Sequence, residues 1–379
     1  MFCIHSDVLG ITLSIDDNNN ASLLDNDDLI DGWFISNEGL YHNNIRAALH
    51  ASGDIVIQSP KAPQTTFWLK HQRHPRWHRI LTKKQFITFV KEIVEKYQIF
   101  ISDDKNSYFL GKFQQQQRLL DMMKPAKINK DSEHIDAITD IKIDNNCFAS
   151  IIRYDNWSST TGRMTVLSGP KILTMQRDRR SVFKSRYTDG VLIEIDFNAL
   201  DARTLLAIAG IDAPATDLYA FIADKCQLQC DRSIIKEAVL AAMYGMSIKN
   251  FTARYESFPD AIDVLQSVKD FFNVKEIERK INSLSSMQNH FGRPLPNASK
   301  ILSHYVQSTA VDVVCQGFLK IIDQIDEPYP IFLIHDALVL DVKKSYVPQL
   351  KKIVERGIII DGFESIFPLK CKEFLDEQR

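Results

Sequence analysis

The chain has 379 residues, of which 45% are hydrophobic, so it is long enough for two or three domains with buried cores. The net charge of −2 excludes a polycation, and any contact with nucleic acid must therefore come from local basic patches. The six cysteines lack the short paired spacings of a zinc site, which indicates ordinary reduced thiols.

The first 84 residues form a region without a recognisable catalytic pattern. The N-terminus has no basic start followed by an apolar run, and no stretch of the chain is apolar enough for a membrane helix. These features predict a cytoplasmic protein with no signal peptide and no membrane partner. Residues 10–15 and 54–57 have the pattern of short β-strands, and residues 16–20 have that of a turn.

The next segments change in character twice. Residues 68–84 interleave cations with aromatic side chains, which favours phosphate binding and base stacking but also fits a solvated surface anchored by two tryptophans. Residues 85–123 have two helical patterns of apolar residues. Residues 124–146 are polar and charged, which predicts a linker.

From residue 150 onward the pattern indicates one folded unit, in which two apolar strands end in aspartate. Residues 191–196 end in Asp196, and residues 331–336 end in Asp336 and continue as a hairpin. A single aspartate at a strand end is usually a cap or turn residue. Two carboxylates held on neighbouring strands, however, are suited to a pair of Mg²⁺ ions.

A helix with two cations lies between these strands in the sequence. Arg232, Lys236, Leu240 and Tyr244 recur every four residues and so lie along one helix face. The cations are nearest the helix N-terminus, where the helix dipole favours anions. This face can hold a triphosphate, although an amphipathic surface helix has the same spacing. With the aspartates, it indicates phosphoryl or nucleotidyl transfer.

Six segments, in the correct order over residues 153 to about 375, resemble those of the family A DNA polymerases, the bacterial DNA polymerase I type. Residues 195–203 resemble the first catalytic motif, and residues 334–336 resemble the second. The Arg-x3-Lys-x7-Tyr-Gly pattern of residues 232–245 resembles the nucleotide-binding fingers helix. Residues 161–163, Thr-Gly-Arg, resemble the segment that touches the primer–template minor groove, and residues 292–296 and 307–312 resemble two further family segments.

The resemblance implies an α+β right-hand polymerase fold with an antiparallel-sheet palm, helical fingers and a reduced helical thumb. We expect a small N-terminal region that contains β-strands to precede these parts, and we expect no exonuclease domain. The implied divisions are residues 1–84 for the N-terminal region of unknown role, 85–150 for the thumb-like helices and linker, 151–215 for the first part of the palm, 216–289 for the fingers and 290–379 for the second part of the palm.

The resemblance also implies a role for each matched residue. Asp196, Asp336 and the backbone carbonyl of Phe197 would hold two Mg²⁺ ions, with Mn²⁺ as a substitute. Arg232 and Lys236 would bind the incoming dNTP, and Lys236 would also be the proton donor to pyrophosphate. The other implied contacts are Leu240, Tyr244 and Asp201 with the nucleotide, and Arg163, Gln307, His335 and Arg293 with DNA.

The sequence departs from the family pattern at several positions. Ala337 follows Asp336 where the family usually has a glutamate, which removes a carboxylate near the metals but not an obligatory ligand. Asp201 replaces the longer glutamate that blocks the ribose 2′-hydroxyl, which predicts a looser sugar gate. The other departures are Leu240 for a large aromatic residue, Ser303 for an asparagine and Tyr219 for a triphosphate-binding histidine.

The sequence therefore predicts a compact template-directed DNA polymerase without proofreading, acting on primer–template DNA in a bacterial or phage-infected cell. Replication or accessory proteins are its further expected partners. One alternative is a single-subunit RNA polymerase or primase-like enzyme, which shares the cationic helix and the His-Asp motif but not the acidic gate at Asp201. A second alternative is a polymerase-fold nucleic-acid-binding or accessory protein without catalysis, against which the two retained aspartates argue.

Overall fold

The computed structural model describes a mixed helix and sheet protein with antiparallel sheets. The described residues are 2–6, 11–15, 21–24, 33–36, 81–88, 91, 95, 115–116, 118–138, 140–155, 159, 161–255, 260–283, 288–293, 295 and 301–375. The predictions for residues 16–20, 54–57, 68–80 and most of 85–123 lie outside them. The chain divides into two compact units, one of residues 1–114 with Gly292–Pro294, and one of residues 115–291 with 295–379.

The first unit contains a four-stranded sheet. Its strands are β1 (Phe2–Ser6), β2 (Ile11–Ile15), β3 (Ala21–Leu24) and β4 (Trp33–Ser36), in the order β3-β2-β1-β4. Strand β4 is parallel to β1, and the other neighbours are antiparallel. The strand predicted at residues 10–15 is confirmed as β2.

A capping box begins the helical segment of residues 83–88 in the same unit. The backbone N–H of Gln85 donates to Thr82 Oγ1 at 3.3 Å, and the backbone N–H of Thr82 donates to Gln85 Oε1 at 3.0 Å. These two bonds satisfy donors that a helix start leaves without partners.

The second unit contains the remaining strands, the helical residues 115–116 and 118–121, and eight further helices among the described residues. The strands are β5 (Lys127–Ile128), β6 (Arg153–Asp155), β7 (Thr165–Ser168), β8 (Phe183–Lys184), β9 (Gly190–Phe197), β10 (Pro330–Ile334), β11 (Ala337–Lys343), β12 (Ile358–Ile359), β13 (Ile366–Phe367) and β14 (Leu369–Glu373). The helices are α1 (Leu200–Ile208), α2 (Leu218–Lys225), α3 (Arg232–Met243), α4 (Ile248–Arg254), α5 (Ala261–Phe271), α6 (Val274–Ser283), α7 (Ile301–Ile322) and α8 (Val347–Glu355).

A four-stranded antiparallel sheet of order β10-β11-β9-β14 lies at the centre of this unit. Helix α7 packs against its strand β9 at Gly317, where an added Cβ would come within 2.6 Å of Phe197 Cζ. The Phe197 ring also contacts the Phe318 ring, with 5.2 Å between the ring centroids. This close packing fixes the C-terminal end of β9.

Helices α1–α6 and the first turns of α7 share a second hydrophobic core. Helix α3 contributes Ile235, Ala238, Val239 and Ala242 to it, all completely buried. Lys236 projects from the exposed face. The helix predicted between the two aspartate strands is therefore present, with its apolar residues inside.

Residues 124–146 are part of the packed unit, so the prediction of a linker is wrong. Strand β5 pairs with β8, and Ile128 and Ile138 are buried in the core around the central sheet. Tyr329 Oη donates to the carbonyl of Pro125 at 3.1 Å. The few apolar residues of this segment lack a helix or strand period, and only their tertiary contacts reveal their burial.

No helix in the described part of the chain combines the length and the apolar character needed to cross a bilayer.

Candidate active site

The two aspartates lie at the end of neighbouring strands. Strand β11 runs antiparallel to β9, with Ala337 opposite Asp196. His335 and Asp336 form the turn of the β10–β11 hairpin, since Ile334 pairs with Ala337. The backbone N–H of Phe197 donates to the carbonyl of Asp336 at 3.3 Å and ties this turn to β9. The predicted hairpin is confirmed, and it brings the two carboxylates together.

The turn has the backbone geometry of a tight hairpin. His335 has a φ of 55°, in the left-handed region that two-residue hairpins use. Its side chain is exposed, whereas that of Asp336 is half-buried.

Burial and repulsion by neighbouring carboxylates raise the pKa values of both aspartates. Burial, with a further contribution from the charge of Asp336, raises the pKa of Asp196 to about 7. Burial also raises the pKa of Asp336, and the charge of Asp201 adds to that effect. Lys370 and Lys372 on β14 act in the opposite direction on Asp196.

This pair fits a divalent cation that binds oxygen. Two closely placed carboxylates whose ionisation is unfavourable gain stability when a cation neutralises them. Mg²⁺ is commonly held by one or two carboxylates, with waters and substrate phosphates as its other ligands. No group of three or more His, Cys, Asp or Glu side chains within the described residues is arranged to hold a metal. The pair would therefore need such additional oxygen ligands.

A second polar cluster forms around Asp201 on α1. Tyr244 Oη donates to Asp201 Oδ2 at 3.1 Å, and Arg163 Nη2 donates to the same oxygen at 3.3 Å. The Gln307 side chain hydrogen-bonds to the Tyr244 hydroxyl. Burial raises the pKa of Asp201, and Arg163 and Tyr244 oppose that rise.

This cluster and the hairpin turn line one cavity. The cavity has a volume of about 140 Å³, and its polar lining consists of Arg163, Asp201, Gln307, His335 and Asp336. Five residues that the sequence assigned to nucleotide or DNA contacts, or to metal binding, therefore face one space.

Arg232, the first residue of α3, is already paired. Its Nε lies 2.5 Å from Asp217 Oδ2, and its guanidinium lies over the Tyr219 ring, 4.9 Å from the centroid. Asp217 Oδ1 caps α2 by accepting from the backbone N–H groups of Tyr219 and Ala220. Lys236, one turn further along α3, is exposed, and Leu240 is half-buried.

A buried arginine fixes the loop that carries Asp217. Arg203, on α1, donates to the carbonyls of Asn198, Pro214 and Thr216 at 3.0, 2.9 and 3.0 Å. Sequence reasoning assigned no role to Arg203 or Asp217. An aspartate directly before a helical pattern is the signal that would have revealed the cap at Asp217.

Arg293 differs from the other predicted DNA contacts. Its side chain is completely buried, so it presents no surface to a nucleic acid. Ala337 and Ser303, two of the departures from the family pattern, are also buried.

The fold of this chain is similar to those of solved structures. No protein family and no curated protein matches the sequence. The fold is similar to the POL domain of Pol1 from M. smegmatis in complex with DNA primer-template and dNTP, with 13% sequence identity and a TM-score of 0.46. The match covers 86% of this chain and 62% of that chain, so this chain spans less than two thirds of that protein's length.

Asp196→Asn should reduce the pH dependence of stability. The pKa of folded Asp196, about 7, is above its ordinary value of 3.8, so the folded state keeps a proton that the unfolded state loses. Stability is therefore lost as the pH rises between these values, by up to about 4 kcal/mol. In EDTA, the variant should have a higher free energy of unfolding than wild type at pH 8 and nearly the same value at pH 4.

Urea unfolding at several pH values measures this difference. Excess Mg²⁺ at pH 8 should stabilise wild type more than the variant, because the ion neutralises the carboxylate pair. The same pH profile for both proteins would contradict the assignment of the raised pKa to Asp196.

Proposed function

We propose that this chain is a template-directed DNA polymerase, related to family A, which adds dNTPs to the 3′ end of a primer. The supporting observation is the pairing of β9 with β11, which brings Asp196 and Asp336 together in the same unit as the cationic face of α3. The bond from Tyr244 to Asp201 connects α3 with the helix that follows β9. In this proposal the central sheet is the palm and α2–α6 are the fingers.

The carboxylates would act as metal ligands. Asp196, Asp336 and the backbone carbonyl of Phe197 would hold two Mg²⁺ ions, with Mn²⁺ as a substitute. When bound, these ions activate the primer hydroxyl and stabilise the charge that develops in nucleotidyl transfer. Ala337 leaves the position directly after Asp336 without a carboxylate.

Helix α3 would bind the triphosphate of the dNTP. Arg232 and Lys236 lie on its first turns, where the helix dipole also favours anions. Lys236 is exposed and would donate a proton to the leaving pyrophosphate. The triphosphate would compete with Asp217 for Arg232.

The cavity beside the hairpin turn would receive the sugar of the nucleotide and the end of the duplex. Asp201 would limit space near the sugar, with Leu240 and Tyr244 packing against the sugar and base. Arg163 and Gln307 would contact the minor groove, and His335 the primer end. All three are accessible at least in part.

Removing a carboxylate of the pair should abolish extension. We expect Asp336→Ala to lower the rate of primer extension with Mg²⁺ and dNTPs by about 10³-fold or more, because a charge-stabilising group is lost. Asp323→Ala, which breaks a surface ion pair with Arg118, is the matched control and should extend at the wild-type rate. If wild type extends no primer with Mg²⁺ or Mn²⁺, whether dNTPs or rNTPs are supplied, the result would contradict catalysis and favour the non-catalytic accessory role.

Asp217→Asn should strengthen dNTP binding. Asparagine retains the cap of α2 but removes the carboxylate that pairs with Arg232. Since an exposed ion pair contributes about 0–1 kcal/mol, the KM for dNTP should fall by up to about fivefold. Steady-state extension at varied dNTP concentration measures this change. A higher KM would mean that Asp217 positions Arg232 rather than competing for it.

Asp201→Glu should tighten discrimination against ribonucleotides. One additional methylene brings the carboxylate closer to the ribose 2′-hydroxyl, and a difference of this size is worth about tenfold or more in selectivity. Single-nucleotide extension with matched dNTP and rNTP measures the ratio of kcat/KM for both proteins. Equal ratios would count against a loose gate, and a wild-type preference for ribonucleotides would favour the RNA polymerase or primase-like alternative.

A further inference from the structure

A row of cations extends from Asp196 along one face of the central sheet. Lys370 on β14 is opposite Asp196, and Lys372 is opposite Glu194, two residues earlier on β9. Side chains two apart on a strand project from the same face, so both lysines share the face of Asp196. Both also act electrostatically on the Asp196 carboxylate.

The row continues into a cavity of about 300 Å³. Its lining includes Arg177, Arg180, Glu194, Lys372 and Phe374. Arg180 is buried against Glu194 and lies over the Phe374 ring, 5.2 Å from the centroid. Lys372 Nζ is 2.7 Å from Glu194 Oε1, and about a third of its side chain is exposed, at 34%.

The cavity has an excess of positive charge. Asp178 and Glu194 are its carboxylates, against Arg177, Arg180 and Lys372. Arg177 is exposed, and no carboxylate of the described residues forms an ion pair with it. Lys370, also exposed, adds a further cation between this cavity and Asp196.

The inference about what the row of cations binds rests on the proposed function. The direction in which the row runs along β9 then indicates which part of the substrate it contacts. Helix α3, the proposed triphosphate site, packs against α1, which follows the C-terminal end of β9. The cation row instead runs toward the N-terminal end of β9. In nucleotidyl transfer the attacking hydroxyl and the leaving pyrophosphate are roughly in line, on opposite sides of the phosphorus. The strand that supplies the hydroxyl should therefore approach over the cation row.

We propose that Lys370, Lys372 and Arg177 bind backbone phosphates of the primer strand close to its 3′ end. Such contacts hold the strand in register without reading its sequence. The buried Glu194 pairs with both Arg180 and Lys372 and supports this surface from below. Arg177 is available to the phosphates, and Lys372 would share its ammonium between Glu194 and a phosphate.

Equilibrium binding of the full chain to a fluorescent primer–template, at several salt concentrations, tests this proposal. Each phosphate contact contributes close to one unit to the slope of log K against log salt. The double variant Arg177→Gln/Lys372→Gln should bind DNA about tenfold more weakly at about 0.1 M salt, with a slope shallower by about one to two units. Arg177→Lys should keep the wild-type slope.

Lys351→Gln is the matched control. Lys351 lies on α8 and acts on Cys371, whose side chain projects from the opposite face of β14 to those of Lys370 and Lys372. It is exposed as well, and its replacement should leave both affinity and slope unchanged. If the double variant does not fold, the single variant Arg177→Gln is measured instead. The Arg177 side chain is exposed, so its replacement should not affect folding.

The measurements separate this proposal from the proposed function, because binding does not require turnover. Unchanged affinity and slope in the double variant would overturn the phosphate contacts even if wild type extends primers. If the double variant had a higher KM for dNTP than wild type but the same affinity for DNA, the phosphate contacts would also be overturned. The cations would then be assigned to the triphosphate. Weaker, less salt-dependent binding would support them even if wild type extends no primer.

Discussion

The pairing of β9 with β11 is the constraint on which the site depends. It holds two carboxylates together in a half-buried position, although burial and repulsion both oppose their ionisation. The surrounding core supports this arrangement, since Gly317 lets α7 pack directly on the Phe197 ring next to Asp196. Hydrophobic packing thus stabilises a local arrangement of charges that a cation could neutralise.

Two sets of side-chain bonds connect helix α1, which follows β9, to other parts of the second unit. Asp201 joins α1 to Tyr244, directly after α3, and to Arg163. Arg203 fixes the loop that carries Asp217, which in turn holds Arg232. The proposed nucleotide contacts therefore have defined positions relative to the carboxylate pair, and Arg232 has a partner that a triphosphate would replace.

Regular periodicity explains which elements the sequence predicted well. The β9 and β10–β11 strands and helix α3 have strong apolar patterns, and their bounds agree closely with the prediction. Residues 124–146 have no such period, and their burial comes from contacts with β8 and the central sheet. Arg293 matched a motif by its type and spacing, but neither property reports whether a side chain is buried.

The sequence by itself determined the candidate residues, because metal and phosphate chemistry restricts the side-chain types and their spacing along a strand or helix. Only the tertiary structure decided which distant residues meet. Arg232 pairs with Asp217, a residue that lies outside every motif. Lys370 comes opposite Asp196 because β14 pairs with β9 in that register. Strand register and loop position arise from packing of the whole unit, and local sequence does not encode them separately.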